Sequence, residues 1–226
     1  MVARAIDLPT FLALVQQHGT LFDAAAQLPR IAELRGRGIA IVAKVAGTAC
    51  VFRHYHRGGA VAQVLGDRYA RFAQNRVLRE LRVSESARAR GVATPAVKCA
   101  AWYQHGVFRR FDMVTAYVPD SSDLAAVLFG SGADPEHALR VTVKLIRDML
   151  RAGLVHHDLN LKNILIAPDR AYILDLDRCK VEEGVSASRA KLMRDRLLRS
   201  LEKWEGTSGR SAPPQVRARL SEAFGG

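Results

Sequence analysis

Nowhere in the 226 residues does an apolar run reach the roughly eighteen positions that a membrane-spanning helix requires. The one apolar patch near the start, "FLALV", is too short for a signal segment, and Asp7 and Pro9 break up its approach. Cysteine is scarce. Cys50, Cys99 and Cys179 are odd in number and far apart, so they make neither a disulfide framework nor a metal-ligand spacing, and they read as small core residues. Together these absences give the expectation of a cytoplasmic protein in a reducing compartment. Internal repeats and low-complexity linkers are also missing, which leaves one domain or one two-lobed unit. Acids are few as well: 22 Asp and Glu stand against 34 Lys and Arg.

What is present is a globular composition, 49% apolar and 25% charged. The +12 charge is concentrated. Residues 51 to 110 hold twelve Lys and Arg but only Asp67, Glu80 and Glu85 as acids. Such a field attracts polyanions, among them an anionic membrane surface or a phosphorylated sugar; the alternative is a solvated basic face. Few aromatics are interleaved there and no nucleic-acid reading motif occurs, so no nucleic-acid partner is expected.

Local signals set out an order of elements. "DLPTFLALVQQHG" reads as a helix with Pro9 near its start and Gly19 near its end. "GIAIVAKV" and "ACVFRHYH" read as strands joined by "AGT". Residues 67 to about 90 have helical spacing, "FDMVTAYV" is a strand, and "SSDLAAVLF" is a short helix with N-cap residues. The clearest helix is "DPEHALRVTVKLIRDMLRAG", with Asp134 as cap, Pro135 at its first position and Gly153 beyond its end. "NILIA" and "AYILDL" are strands around the turn "PDR", and two helices follow. Strands with one helix, then mainly helices, make an α+β class.

The chemistry lies in "GLVHHDLNLKNILIAPDRAYILDLDR". "HHDLNLKN" at 156 to 163 matches the kinase spacing H-x-D-L-x-x-x-N, and "LDLD" stands where kinases carry D-F-G. In phosphoryl transfer an Asp on such a loop accepts the proton of the attacking hydroxyl, while an Asn five residues on and an Asp after the next strand hold Mg²⁺ against the phosphates of ATP. Asp and Asn supply the hard oxygen donors that magnesium needs. A metal site built on His156 and His157 is the other reading, and adjacent loop histidines rarely both ligate. Upstream, "RGRG" with Gly36 and Gly38 can cover phosphates. Arg53 in "CVFRHY" takes the place usual for a lysine, as a larger, forked cation. Glu80 is the candidate partner of Arg53; the alternative is a surface glutamate paired with Arg76 or Arg79.

"VFRHYHRGG", "LGDRY", "LREL…ARARGVATP", "HHDLNLKNILI" and "ILDLDR", in this order over residues 33 to 180, resemble the lipopolysaccharide kinases of Gram-negative bacteria, in particular the 3-deoxy-D-manno-octulosonic acid (Kdo) kinases. The resemblance implies a protein-kinase-like two-lobed fold: a small β-rich nucleotide lobe over about residues 1–118, and a reduced helical C-terminal lobe over about 119–226. It implies phosphate transfer from ATP to a Kdo hydroxyl of a glycolipid acceptor at the cytoplasmic face of the inner membrane, the enzyme lying peripherally there. It also implies Asp158 as catalytic base, Asn163 and Asp175 as Mg²⁺ ligands, and Arg53 with Glu80 as the ATP-positioning pair. Leu176 departs from the Phe expected in the family and keeps its apolar bulk. His157 stands where regulated protein kinases carry an Arg that reads an activation-loop phosphate. About fifty residues follow Asp177 with no A-P-E-like stretch, so a small or lipid-linked acceptor is expected rather than a peptide. The alternatives are an atypical Ser/Thr or small-molecule kinase on the same fold, or a non-catalytic anion-binding module.

Overall fold

The computed structural model describes residues 2–5, 8–35, 39–55, 69–70, 76–105, 108–130 and 134–225. Its chain forms two compact units: residues 1–82 with 96–117, and residues 83–95 with 118–226.

The first unit is built on an antiparallel sheet ordered β1-β6-β7-β4-β3-β2. These strands are β1 (Val2–Ala5), β2 (Arg30–Arg35), β3 (Ile39–Val45), β4 (Thr48–His54), β6 (Val97–His105) and β7 (Phe108–Ala116), and the short β5 (Tyr69–Ala70) pairs with β7. β3 and β4 meet at the two-residue turn Ala46–Gly47, with φ of 46° and 79°. Both central residues are left-handed, the turn whose twist matches that of the flanking strands. One face of the sheet buries Ile41, Phe52, Cys99 and Val114 against α1 (Leu8–His18) and α2 (Leu21–Ala25). Another cluster, with Val77, Leu81, Phe111 and Met113, seats the first half of α3 (Arg76–Ala89). The helical reading of residues 67 to about 90 is corrected here. Tyr69 and Ala70 pair as a strand with Arg109 and Phe108, and the helix starts at Arg76.

A polar network ties α2 to this sheet. The buried Asp112 accepts from the Phe22 N–H at 3.0 Å and lies 2.6 Å from His54 Nδ1. Tyr103 accepts from the Leu21 N–H at 2.8 Å and hydrogen-bonds Asp112. Burial, with the Asp112 charge beside it, pushes the Tyr103 phenol well above its usual range. Amides at the start of α2 are thereby satisfied inside the protein.

The second unit packs α4 (Leu124–Phe129), α5 (Pro135–Arg151), α6 (Ala187–Ser208) and α7 (Pro214–Glu222) around one apolar core. Asp134 caps α5 through the N–H groups of Glu136 and His137, with Pro135 in the first turn where no amide is missed. The inward stripe Ala138, Leu139, Val141, Leu145, Ile146 and Met149 recurs at helical spacing. The same unit holds the short pairs β9 (Leu154–Val155) with β12 (Lys180–Val181), and β10 (Ile164–Ile166) with β11 (Ala171–Ile173) and β8 (Ser122–Asp123). The buried Leu161, Ile164 and Ile173 flank the intervening loop. Each contributes about 1.5–3 kcal/mol of apolar burial, which holds the loop to the core. Among the described residues no helix is long and apolar enough to cross a membrane.

Candidate active site

The loop from His156 to Asn163 is fastened by its own polar atoms. His156 is 1% exposed. Its Nδ1 accepts from the Asp158 N–H at 3.2 Å and its Nε2 faces the Leu174 carbonyl at 3.0 Å. The first contact requires a bare Nδ1 and the second a proton on Nε2, so the ring is the neutral Nε2–H tautomer. Burial lowers the pKa of His156, against the opposing pull of the Leu174 carbonyl and the Asp175 and Asp158 charges. With both nitrogens committed to the backbone, His156 has no lone pair for a metal, which removes the histidine-metal reading for that residue.

Asn160 caps the 3₁₀ turn Leu161–Asn163, its Oδ1 accepting from the N–H groups of Lys162 and Asn163. The side-chain amides of Asn160 and Asn163 both donate to the Asp158 carbonyl, each at 2.9 Å. That donation fixes the amide of Asn163 and leaves its Oδ1 available as an acceptor. Leu174 is held at both ends: its N–H donates to the Asn163 carbonyl at 2.8 Å and its carbonyl receives His156. Asp175 follows at φ +59°, a left-handed conformation that is uncommon for a residue with a Cβ. Strain of this kind persists where the surroundings over-determine the backbone, and it concentrates at functional sites. The next two residues, Leu176 and Asp177, are buried. Asp158, Asn163 and Asp175 are thus brought together on one hydrogen-bonded framework.

Asn163 Oδ1 and the Asp175 carboxylate are hard, partly exposed oxygen donors, the kind of set that holds magnesium together with water and phosphate oxygens. Among the described residues no three His, Cys, Asp or Glu side chains converge on a point, as a zinc-type centre requires.

In the first unit Arg53, on β4, meets Glu80, on α3. Nη2 of Arg53 lies 2.6 Å from Glu80 Oε1, and the Tyr55 hydroxyl donates to Glu80 Oε2. Glu80 is only 3% exposed, so this pair excludes the reading of it as a surface glutamate. Arg53 stays 31% exposed and also touches Met113 Sδ at 3.3 Å. A buried carboxylate with a charged donor on one oxygen and a hydroxyl on the other fixes the direction of the guanidinium. A double-mutant cycle on Arg53 and Glu80, read out as nucleotide affinity, is expected to give a coupling of about 0.5–3 kcal/mol; additive losses would mean that the pair acts on nothing in common.

Gly36 and Gly38 lie outside the described residues, as do the basic positions Arg57, Arg68 and Arg71. Several participants carry no sequence signal of their own. Tyr55 reaches Glu80 only because β4 and α3 pack together. Lys162 bridges to Asp123 at 3.0 Å and lies 5.0 Å from the centre of the Trp204 ring. Asp123 at the same time caps α4 by accepting from the Ala126 N–H. Asn160 could have been found, because a side-chain acceptor two and three residues before the amides it serves is a turn signature.

The state of His156 sets a pH dependence. In the unfolded chain its pKa returns to about 6.5, above the folded value. Its contribution is complete above about pH 6.5 and is lost as pH falls below that point toward the folded pKa, at up to about 1.4 kcal/mol per pH unit. Urea unfolding of the metal-free chain across this range is expected to show that slope, and His156→Gln is expected to flatten it. An unchanged slope in the variant would assign the effect to other groups.

A β-sheet unit carrying a paired cation and glutamate, with a helical unit carrying an Asp, Asn and Asp loop cluster, defines a protein-kinase-like fold. The solved structure of WaaP in complex with acyl carrier protein matches it with a TM-score of 0.56 at 16% identity, over 99% of this chain and 88% of that one. The chain belongs to the lipopolysaccharide kinase (Kdo/WaaP) family, whose pattern it matches over residues 24–218. Its relatives include the 3-deoxy-D-manno-octulosonic acid kinase of Vibrio cholerae, 31% identical over 191 residues covering 83% of this chain and 76% of that protein. The Stenotrophomonas maltophilia kinase of the same name is 31% identical over 194 residues, covering 84% and 76%. The chain is therefore a phosphotransferase of the Kdo/WaaP type.

Proposed function

We propose that this protein transfers the γ-phosphoryl group of ATP to a hydroxyl of a Kdo sugar on a lipid A–core precursor, at the cytoplasmic face of a membrane. In this reading Asp158 accepts the hydroxyl proton as the sugar oxygen bonds phosphorus and the bond to ADP breaks. Arg53, oriented by Glu80, holds phosphate oxygens of the nucleotide. Asn163 and Asp175 would hold Mg²⁺, which when bound neutralises charge on the phosphates. The observation that carries the proposal is the framework that aligns Asp158, Asn163 and a left-handed Asp175 through His156 and Leu174. The acceptor class is supported by the Kdo kinases among the relatives. It is supported also by the short stretch from Asp177 to Ala187, which has little room for a peptide-binding segment. The test is phosphate incorporation from labelled ATP into a Kdo-bearing lipid A precursor, with a protein substrate in parallel. Acceptor-dependent labelling of the glycolipid is expected; labelling of protein hydroxyls alone would replace the acceptor.

A further inference from the structure

A second charged feature lies on the helical unit, apart from the loop cluster. α5 carries Arg140, Lys144, Arg147 and Arg151 at steps of four, three and four residues. These steps put all four on one stripe of the helix, roughly 16 Å long at 1.5 Å per residue. The stripe borders a groove shared with α7, a cavity of about 420 Å³ lined also by Val143, Arg219 and Glu222.

Like charges at these spacings oppose one another and weaken a helix. The protein offsets part of that cost. Asp148 lies 2.7 Å from Lys144 and 2.5 Å from Arg151, and Glu136 engages Arg219. Arg140 donates to the ring of His137 at 2.9 Å and meets no carboxylate among the described residues. The Arg147 guanidinium makes no hydrogen bond or ion pair among the described residues. Lys144 and Arg151 remain 72% and 74% exposed despite their shared acid. The stripe therefore keeps a surplus of positive charge on an exposed surface, at a local cost.

We propose that the α5–α7 groove seats anionic phospholipid headgroups and holds the protein on a membrane. The choice of a membrane as occupant rests on the glycolipid-kinase reading above. Two features of the groove favour it over an acidic protein. Its lining holds five cations against one acid, Glu222, with Val143 as the apolar element, whereas protein interfaces are built around apolar and aromatic anchors. Four cations along one face of an amphipathic helix are the pattern that anionic lipid surfaces attract.

The test is sedimentation of the full chain with mixed phosphatidylglycerol–phosphatidylcholine vesicles and with phosphatidylcholine alone. Compared are wild type, the Arg140→Gln/Arg147→Gln variant, and a charge-matched control, Lys191→Gln/Arg199→Gln on α6. Wild type is expected to bind the mixed vesicles only, the groove variant to bind them about tenfold more weakly or less, and the control to stay within about twofold of wild type. Unchanged binding by the groove variant overturns the proposal, and is the result an acidic protein partner would give. Equal losses in variant and control overturn it too, since they report net charge alone. Transfer to the glycolipid in neutral detergent is measured beside it, where wild type and groove variant are expected to match. Failure of that transfer would count against the kinase reading, and the vesicle comparison would still decide the groove.

Discussion

Asp158→Asn is expected to lower the rate of phosphoryl transfer by about 10²–10⁴-fold while nucleotide affinity stays within about threefold. The separation follows from which atoms of Asp158 do what. Its backbone carries the architecture: the N–H donates to His156, and the carbonyl receives both Asn160 and Asn163. An asparagine keeps both of those groups and nearly the same shape, so the loop and the placement of the Asn163 amide persist. What disappears is a carboxylate able to accept a proton. Steady-state kinetics with the glycolipid acceptor, beside nucleotide titration and a melting curve, check this. A matching loss of nucleotide affinity, or a fall in melting temperature, would reassign Asp158 to a structural part.

The largest stability loss is expected at Gly153→Ala. Gly153 ends α5 at φ +73°, where any Cβ is strained. A Cβ at that position would also sit 2.0 Å from the Glu182 carbonyl oxygen, an impossible approach. That oxygen cannot yield cheaply. Arg90 grips it at 2.8 Å while also holding the Ala152 carbonyl at 3.1 Å, and the Glu182 N–H donates to the Gly153 carbonyl at 2.9 Å. Strain and clash together should cost about 3 kcal/mol or more. For a chain of this size that corresponds to a fall in melting temperature of roughly 6–12 °C. A drop of a degree or two would mean that the β9–β12 pair gives way without consequence.

The legible parts of this molecule are those whose signals are local. α5 announces itself with Asp134, Pro135, an apolar stripe and Gly153, and the structure has each in place. The 156–163 loop and its strand pair are legible because cap, turn and buried strand residues follow within a few positions. Elsewhere the partners are distant. β9 and β12 are two residues each and exist only by pairing across 25 to 27 positions. β6 escapes notice because "VKCAAWYQH" has no clean alternation; its place is set by β1 and β7 on its two sides. Tyr69 and Phe72 stand at helical spacing, yet pairing with β7 wins at Tyr69 and Ala70. In the site, the spacing of Asp158, Asn163 and Asp175 could be read, and so could a Glu80 candidate. Tyr55 on Glu80 and Asp123 on Lys162 could not, since each contact joins elements separated by 25 and 39 residues.

The Asp112 network has a consequence for how the chain is made. The amides of Leu21 and Phe22 find their acceptors on Tyr103 and Asp112, 82 and 90 residues later. At a synthesis rate of about 5–20 residues per second, the ribosome needs roughly 5–20 s to supply those acceptors. The β3–β4 hairpin can close during that wait, because its turn spans two residues. α2 cannot settle, since docking it early would bury its amides without partners. Vectorial synthesis is thus expected to leave α2 among the last pieces of the sheet unit to lock. Leu21, Ala24 and Ala25 are expected to stay unburied in the nascent chain until Tyr103 and Asp112 emerge to accept those amides.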